Sequence, residues 1–134
     1  MAGTLSEKLI PRLVIRFPNR GLRIHEGKQP KVSFPAAHPE VGDLDIHDDD
    51  DELTISLGRL THGHFSPFDY AAPQDEREEE VIERVLAFLD AVFNDQMEFW
   101  SSEKAGGWHL RGEEPIARRR DARKYTWSGP LERQ

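Results

Sequence analysis

Residues 43–57 have the sequence DLDIHDDDDELTISL, which contains the clearest β pattern in the chain. Leucine or isoleucine occupies every second position on both sides of the four aspartates, at Leu44, Ile46, Leu53, Ile55 and Leu57. A period of two is typical of a strand that buries one face, and a short polar segment between two such strands is typical of an antiparallel hairpin. The sequence therefore predicts a hairpin with residues 48–51 as its turn.

A long amphipathic helix is predicted further along the chain, because residues 75–93 have the sequence DEREEEVIERVLAFLDAVF. Their apolar residues recur at intervals of three and four, as expected for one face of a helix. These residues are Val81, Ile82, Val85, Leu86, Phe88, Leu89, Val92 and Phe93. Asp75 and Glu78 have the spacing of a capping box, which predicts that the helix starts at Asp75.

The other elements are predicted from shorter patterns. Residues 1–11 are interpreted as a frayed arm, residues 13–17 as a first strand and residues 69–73 as a linker. Further short strands are expected at residues 22–24, 32–34, 61–65, 97–100 and 108–110. The predicted fold class is α+β: an antiparallel sheet of about five to seven short strands, with one long helix packed on one face. The predicted order along the chain is a β-rich N-terminal half, then the helix, then a terminal β-hairpin.

The length of 134 residues suits one domain. Periodicity ends near Gly112, so residues 1–112 are predicted to form the domain and residues 113–134 a mobile basic C-terminal tail. The tail combines arginines with Tyr125 and Trp127, a combination that can bind single-stranded nucleic acid. The acidic remainder of the chain favours a solubilising tail instead, so we expect no nucleic-acid partner.

The composition excludes several classes of site. The chain has no cysteine, which excludes a disulfide framework, a thiolate metal site and a cysteine nucleophile. It also has no Gly-rich phosphate loop and no nucleophile elbow. No apolar run approaches the roughly 18–20 residues of a membrane span, and the first ten residues lack the pattern of a signal peptide. We therefore expect a soluble cytoplasmic protein with no cofactor and no membrane partner.

The formal charge of −7 is unevenly distributed. Residues 1–31 carry seven Lys or Arg and two Asp or Glu, whereas residues 32–110 carry four and nineteen. If the hairpin turn and the helix start are neighbours, their acidic side chains form one negative field. The predicted partner-binding residues are Asp48, Asp49, Asp50, Asp51, Glu76, Glu79 and Glu80.

The first functional hypothesis is a small acidic, non-catalytic domain that binds a basic protein partner. An antitoxin or a toxin-immunity protein is one example of such a molecule. The alternative for the same carboxylates is that they only keep the protein in solution. The four aspartates lack the spacing of an EF-hand loop, which favours a solvated turn over a calcium site.

His62 and His64 support a second hypothesis of a different class, a metal-dependent enzyme. Residues at i and i+2 of a strand point to the same face, so both imidazoles could bind one metal ion. His47 and the neighbouring aspartates are available as further ligands. The longer signatures of zinc sites are absent from the sequence, so the non-catalytic hypothesis ranks first.

Overall fold

The computed structural model describes residues 4–27, 29–102, 105–113 and 122–131, and these contain two helices and nine strands. The helices are α1 (Thr4–Arg16) and α2 (Gln74–Phe93). The strands are β1 (Arg23–Ile24), β2 (Val32–Phe34), β3 (Leu44–Asp48), β4 (Leu53–Leu57), β5 (Thr61–Phe65), β6 (Met97–Ser101), β7 (Gly106–Leu110), β8 (Arg123–Thr126) and β9 (Gly129–Pro130). The predicted α+β class and its long helix are confirmed.

The strands form two antiparallel sheets. The first sheet has the order β1-β2-β3-β4-β5, and the second has the order β7-β6-β8-β9. The predicted hairpin is confirmed as β3 and β4, with Ile46 opposite Ile55. The apolar residues of both strands are fully buried because the period of two places them all on the face towards the core. The structure divides the predicted single sheet in two, since β6 to β9 pair only with one another among the described strands.

The N-terminal segment is helical from residue 4, so the predicted frayed arm and the first strand over residues 13–17 are wrong. Leu5, Leu9 and Leu13 recur every four residues and are buried on one face of α1. Burial of one leucine side chain contributes about 1.5–3 kcal/mol, so three outweigh the cost of about 3 kcal/mol for a proline inside a helix. Pro11 lies on the exposed side of α1. Residues 1–3 lie outside the described residues.

One hydrophobic core joins both helices to both sheets. The face of α2 that contains Leu89 and Phe93 is buried, as the sequence predicts. The Phe93 ring packs edge-on against Phe17, Phe34 and Trp127, with centroid distances of 5.1, 4.9 and 5.4 Å. This cluster connects the end of α1, the first sheet and the C-terminal segment.

Part of the predicted mobile tail belongs to the second sheet. β8 pairs with β6, and β9 pairs with β8. Tyr125 and Trp127 are buried in the common core, which corrects the predicted tail over residues 122–131. The segment has too few apolar residues to show a period, but two large aromatic side chains suffice to dock it. Residues 114–121, which include the run of arginines, and residues 132–134 lie outside the described residues.

The start of α2 also differs from the prediction. The helix begins at Gln74, and Pro73 precedes it without a side-chain cap. Asp75 and Glu78 do not form a capping box. Both carboxylates instead contact Lys8 of α1, at Nζ–O distances of 3.0 and 2.7 Å.

Candidate functional site

Asp48 is a structural residue at the end of β3. It has the parity of Leu44 and Ile46, and it is only 6% exposed. Its Oδ2 accepts a hydrogen bond from the Ser6 backbone N–H at 2.9 Å, and its Oδ1 accepts one from the Asp50 N–H at 2.9 Å. Ser6 lies in the first turn of α1, so Asp48 caps that helix. Its burial removes Asp48 from the exposed acidic surface to which the sequence analysis assigned it.

Replacement of Asp48 by alanine is expected to destabilise the fold, because the buried N–H of Ser6 and the partly buried N–H of Asp50 both lose their hydrogen-bond acceptor. We expect the free energy of unfolding, measured in urea, to fall by about 1–3 kcal/mol. Asp51→Ala is the matched control on the exposed side of the turn and should change it by at most about 0.5 kcal/mol. Equal losses in the two variants would contradict the capping role.

Asp50 and Asp51 form the exposed tip of the β3–β4 turn. Neither side chain forms an ion pair within the part of the chain that the structure describes. Asp50 has a φ of 71°, in the left-handed region that Asp and Asn tolerate better than most residues. Asp49 differs from them, because its Oδ2 accepts a hydrogen bond from Thr54 Oγ1.

The acidic face of α2 is largely neutralised by α1. Arg12 contacts Glu79 at 2.7 Å and Glu83 at 3.2 Å, and Arg16 pairs with Asp90. Exposed pairs of this kind contribute about 0–1 kcal/mol each, so they matter more for the surface charge than for stability. Glu79, a predicted partner-binding residue, is therefore engaged within the molecule. The uneven charge along the chain becomes charge complementarity between the two helices.

Glu78 is the buried carboxylate in this contact between the helices. It accepts hydrogen bonds from Thr4 Oγ1 at 2.5 Å and from Lys8 Nζ at 2.7 Å. Burial is the largest single influence and raises the pKa of Glu78, but the hydrogen bonds from Lys8 and Thr4 and the charge of Lys8 together outweigh it. The net pKa of Glu78 lies below its ordinary value of 4.5. The hydrogen bonds to Glu78 and Asp75 raise the pKa of Lys8 above 10.5.

Protonation of Glu78 is expected to weaken the fold in acid. A carboxyl group whose pKa is lower in the folded chain stabilises it above the unfolded pKa, and this contribution is lost as the pH falls through the folded pKa. The loss therefore begins near pH 4.5 and continues below it. Between about pH 5 and pH 3, the free energy of unfolding of Glu78→Gln should vary less with pH than that of the wild type, as measured by urea unfolding.

The control for this experiment is Glu76→Gln, because Glu76 is exposed and forms no ion pair within the described ranges. It should keep the pH dependence of the wild type. A Glu78→Gln curve that runs parallel to the wild-type curve over the whole range would contradict the assigned role of Glu78.

The loop between β5 and α2 presents two aromatic side chains that the sequence analysis placed in or beside a linker. Phe68 is 77% exposed and Tyr70 is 61% exposed. Arg77 donates hydrogen bonds to two carbonyl oxygens of this loop, at 2.7 and 3.3 Å, and Arg84 donates to that of Ser66. The Arg84 guanidinium also lies 3.9 Å from the Phe68 ring centroid. Hydrogen bonds therefore tie the loop to α2 although its aromatic rings face solvent.

Glu80 and Glu76, the two remaining predicted partner-binding residues, have different environments. Glu80 Oε1 accepts a hydrogen bond from the Phe68 N–H at 3.1 Å and lies 3.2 Å from Arg84 Nη2. It therefore helps to hold the loop. Glu76 has an exposed side chain that makes no such contact with the residues that the structure describes.

A pocket of about 310 Å³ lies where the β3–β4 turn and the start of α2 meet the loop between β5 and α2, which we call the aromatic loop. Asp50 and Asp51 line it from the turn, Pro67 from the loop, and Gln74 and Arg77 from α2. The turn and the helix start are thus neighbours in space, which is the condition for their carboxylates to act as one negative field.

His62 and His64 share the exposed face of β5, as the period of two predicts. Their ring centroids are 5.6 Å apart and the ring planes are nearly perpendicular, at 83°. Gly63 between them faces Trp108, and a Cβ at this position would lie 2.2 Å from the indole ring. The glycine of the His-Gly-His motif is therefore required by packing.

Three side chains with metal-ligating atoms meet at the end of the hairpin. Asp49, Glu52 and His64 offer ligand atoms that all lie within 4.8 Å of one another. His64 Nδ1 is 3.6 Å from Glu52 Oε1 and 2.9 Å from Thr54 Oγ1. Within the described ranges this is the only such group, and His62, the other predicted ligand, is not part of it.

A chain of hydrogen bonds joins His25, Ser33 and Asp45 on the outer face of the first sheet. Ser33 Oγ donates to Asp45 Oδ1 at 2.7 Å and lies 3.0 Å from His25 Nε2. An activated serine must give its proton to the histidine, but here the hydroxyl proton goes to the carboxylate. These three residues are therefore not arranged as a nucleophilic triad, in which the histidine would lie between the serine and the carboxylate.

Comparisons with known proteins add no assignment: no family model, no curated protein and no solved structure matches the chain. Neither helix in the described part of the chain is long and apolar enough to cross a membrane.

Proposed function

We propose that the chain is a small, non-catalytic protein-binding domain that binds a basic protein partner. The binding site is the acid–aromatic surface, which we define as Asp50, Asp51, Phe68, Tyr70 and Glu76. The observation that carries this proposal is a pair of exposed aromatic rings on a loop whose Pro67 lines the same pocket as Asp50 and Asp51, two carboxylates that form no ion pair within the described ranges.

The aromatic residues would supply most of the binding energy. Phe68 and Tyr70 can each bury a large area, and aromatic residues are enriched among the hot spots of protein interfaces. Arg77 and Arg84 already fix the backbone of the loop, so little conformational entropy is lost when a partner binds. A loop held in this way is better suited to binding than a flexible linker.

The carboxylates would supply the selectivity for a basic partner. α1 neutralises much of the acidic face of α2, which leaves Asp50, Asp51 and Glu76 as carboxylates without an ion pair within the described ranges, although Arg77 lines the same pocket as the two aspartates. Such a field raises the rate of encounter with a basic protein and disfavours acidic ones. The proposed set of carboxylates is narrower than the one the sequence predicts, because four of the predicted residues have partners within the chain: Asp48, Asp49, Glu79 and Glu80.

An antitoxin or toxin-immunity role is our proposal for the biological class. It is supported by the small size, the net charge of −7, the absence of cysteine and the absence of a catalytic motif in the sequence. The basic partner in that case is the toxin itself.

The proposal is tested by capture from native lysate with three baits, followed by mass spectrometry. The baits are the wild type, a variant with Asp50→Asn, Asp51→Asn, Phe68→Ala and Tyr70→Ala, and a control with Glu26→Gln, Glu40→Gln and Ile15→Ala. All the changed side chains are exposed, so each bait should fold. We expect one basic protein in stoichiometric amount on the wild type and the control but not on the surface variant. A stoichiometric partner that stays on the surface variant would contradict the proposal.

The second candidate function is a metal-dependent enzyme, and one specific observation favours it. His64 lies beside Asp49 and Glu52, so a ligand set exists at the hairpin end, although it differs from the predicted pair of His62 and His64. Metal binding alone is compatible with both candidates, so an activity that requires the bound metal and is lost in His64→Gln distinguishes this candidate from a non-catalytic binding domain.

A further inference from the structure

We propose that Asp49, Glu52 and His64 form a site for one divalent transition-metal ion, for which Zn²⁺ is the appropriate probe. The site lies at the turn end of β3 and β4, beside β5. It differs from the His-x-His pair that the sequence suggests, because it takes only one of the two histidines.

The fold brings the three ligands together through backbone geometry. The Asp49 N–H donates to the Glu52 carbonyl oxygen at 2.9 Å, so both carboxylates stand at the base of the same turn. The register of β4 and β5 places His64 opposite Thr54. Thr54 is two residues after Glu52, so His64 lies beside the base of the turn. The pairing of β4 with β5 thus brings His64 close to two carboxylates of the preceding hairpin turn.

The distances suit a single ion. Zinc binds imidazole nitrogen and carboxylate oxygen at about 2.0–2.2 Å, so two ligand atoms of a tetrahedral site are about 3.3–3.6 Å apart. The ligand atoms here lie within 4.8 Å, and the separation of 3.6 Å between His64 Nδ1 and Glu52 Oε1 is already in that range. Asp49 and His64 are exposed and Glu52 is half-buried, so small side-chain rotations can complete the site.

Thr54 orders the site in the absence of an ion. Its hydroxyl donates to Asp49 Oδ2, so the contact of 2.9 Å with His64 requires that His64 Nδ1 carries a proton and donates to Thr54 Oγ1. An ion can bind at Nδ1 only after this proton has left; the ring is then the neutral ligand that metals require when its single proton sits on Nε2.

The ligand types favour zinc over calcium or magnesium. Calcium takes six to eight oxygen ligands, and magnesium prefers oxygen ligands and retains several waters, whereas a mixed set of one imidazole and two carboxylates suits zinc and its transition-metal neighbours. Two carboxylates balance the charge of a dication, and Asp50 and Asp51 raise its local concentration. Three protein ligands leave one coordination position open, as in catalytic zinc sites.

The test is a zinc titration of the full-length chain, followed by calorimetry and by the NMR signals of the histidine ring nitrogens. We expect one equivalent of zinc, and a shift of the Nδ1 signal of His64 on binding. His64→Gln and Asp49→Asn should each weaken the affinity at least about tenfold. His62→Gln, on the same face of the same strand, is the matched control and should change the affinity less than about twofold.

Three outcomes would overturn the proposal. The first is the absence of stoichiometric zinc binding. The second is loss of zinc binding in His62→Gln together with wild-type affinity in His64→Gln. The third is displacement of zinc by a modest excess of magnesium, which would show that the carboxylates attract cations non-specifically. Because Asp50, Asp51, Phe68, Tyr70 and Glu76 are not ligands, this site and the proposed partner binding can fail independently.

Discussion

Replacement of Trp127 by alanine is expected to lower the free energy of unfolding by about 3–5 kcal/mol, the usual cost of removing a buried tryptophan. Trp127 is only 3% exposed, and its ring packs on Phe93 of α2 at a centroid distance of 5.4 Å. The substitution leaves a large cavity and removes the main contact that holds β8 and β9 against α2. Chemical denaturation measures this loss, which is a large part of the stability of a domain of this size.

The control for this experiment is Lys124→Ala, since Lys124 is in the same segment but its side chain is exposed. It should cost no more than about 0.5 kcal/mol. A loss below about 1 kcal/mol for Trp127→Ala would mean that the segment does not dock on the core, and the predicted mobile tail would then be the better description.

Leu89→Ala is expected to lower the free energy of unfolding by about 2–5 kcal/mol, through lost burial and the cavity that remains. Leu89 is fully buried on the apolar face of α2 and belongs to the hydrophobic core that joins both helices to both sheets.

Ala87→Ser on the exposed side of α2 is the comparison, with an expected cost of about 0.5 kcal/mol from helix propensity alone. If Leu89→Ala cost no more than this control, the assignment of the buried face of α2 would be wrong.

The elements that the sequence predicts well are those with a strong and uninterrupted period. The α2 face around Leu89 and the β3–β4 hairpin around Ile46 each repeat their pattern several times. α1 is missed because Pro11 interrupts its leucine period and because residues 13–17 form a continuous apolar run that also suits a strand. Whether this segment forms a helix or a strand is decided by how its side chains are buried in the folded protein, and a local sequence pattern does not contain that information.

The charge pattern of the candidate site is predicted only in part, because pairing between distant segments is not visible in a sequence. Lys8 and Arg12 are more than sixty residues away from the glutamates they contact. The burial of Asp48, in contrast, follows from its parity with Leu44 and Ile46, which the sequence does show.

The aromatic loop could have been recognised from its composition. Phe68 and Tyr70 lie between Pro67 and Pro73, whereas a flexible linker is typically rich in Gly and Ser. The conformation of the loop could not have been predicted, because Arg77 and Arg84 donate to its carbonyl groups from a helix that follows it.

The most direct test of the account is the association rate constant of the captured partner with this protein, measured at low and at high salt. The variant for comparison combines Asp50→Asn, Asp51→Asn and Glu76→Gln; asparagine tolerates the left-handed backbone of residue 50, so the turn is preserved. We predict that association with the wild type slows at least about fivefold as salt is added, and that the variant associates slowly at both salt concentrations with a similar dissociation rate. An association rate constant that depends on neither the salt nor the three substitutions would contradict the claim that this surface recognises a basic protein.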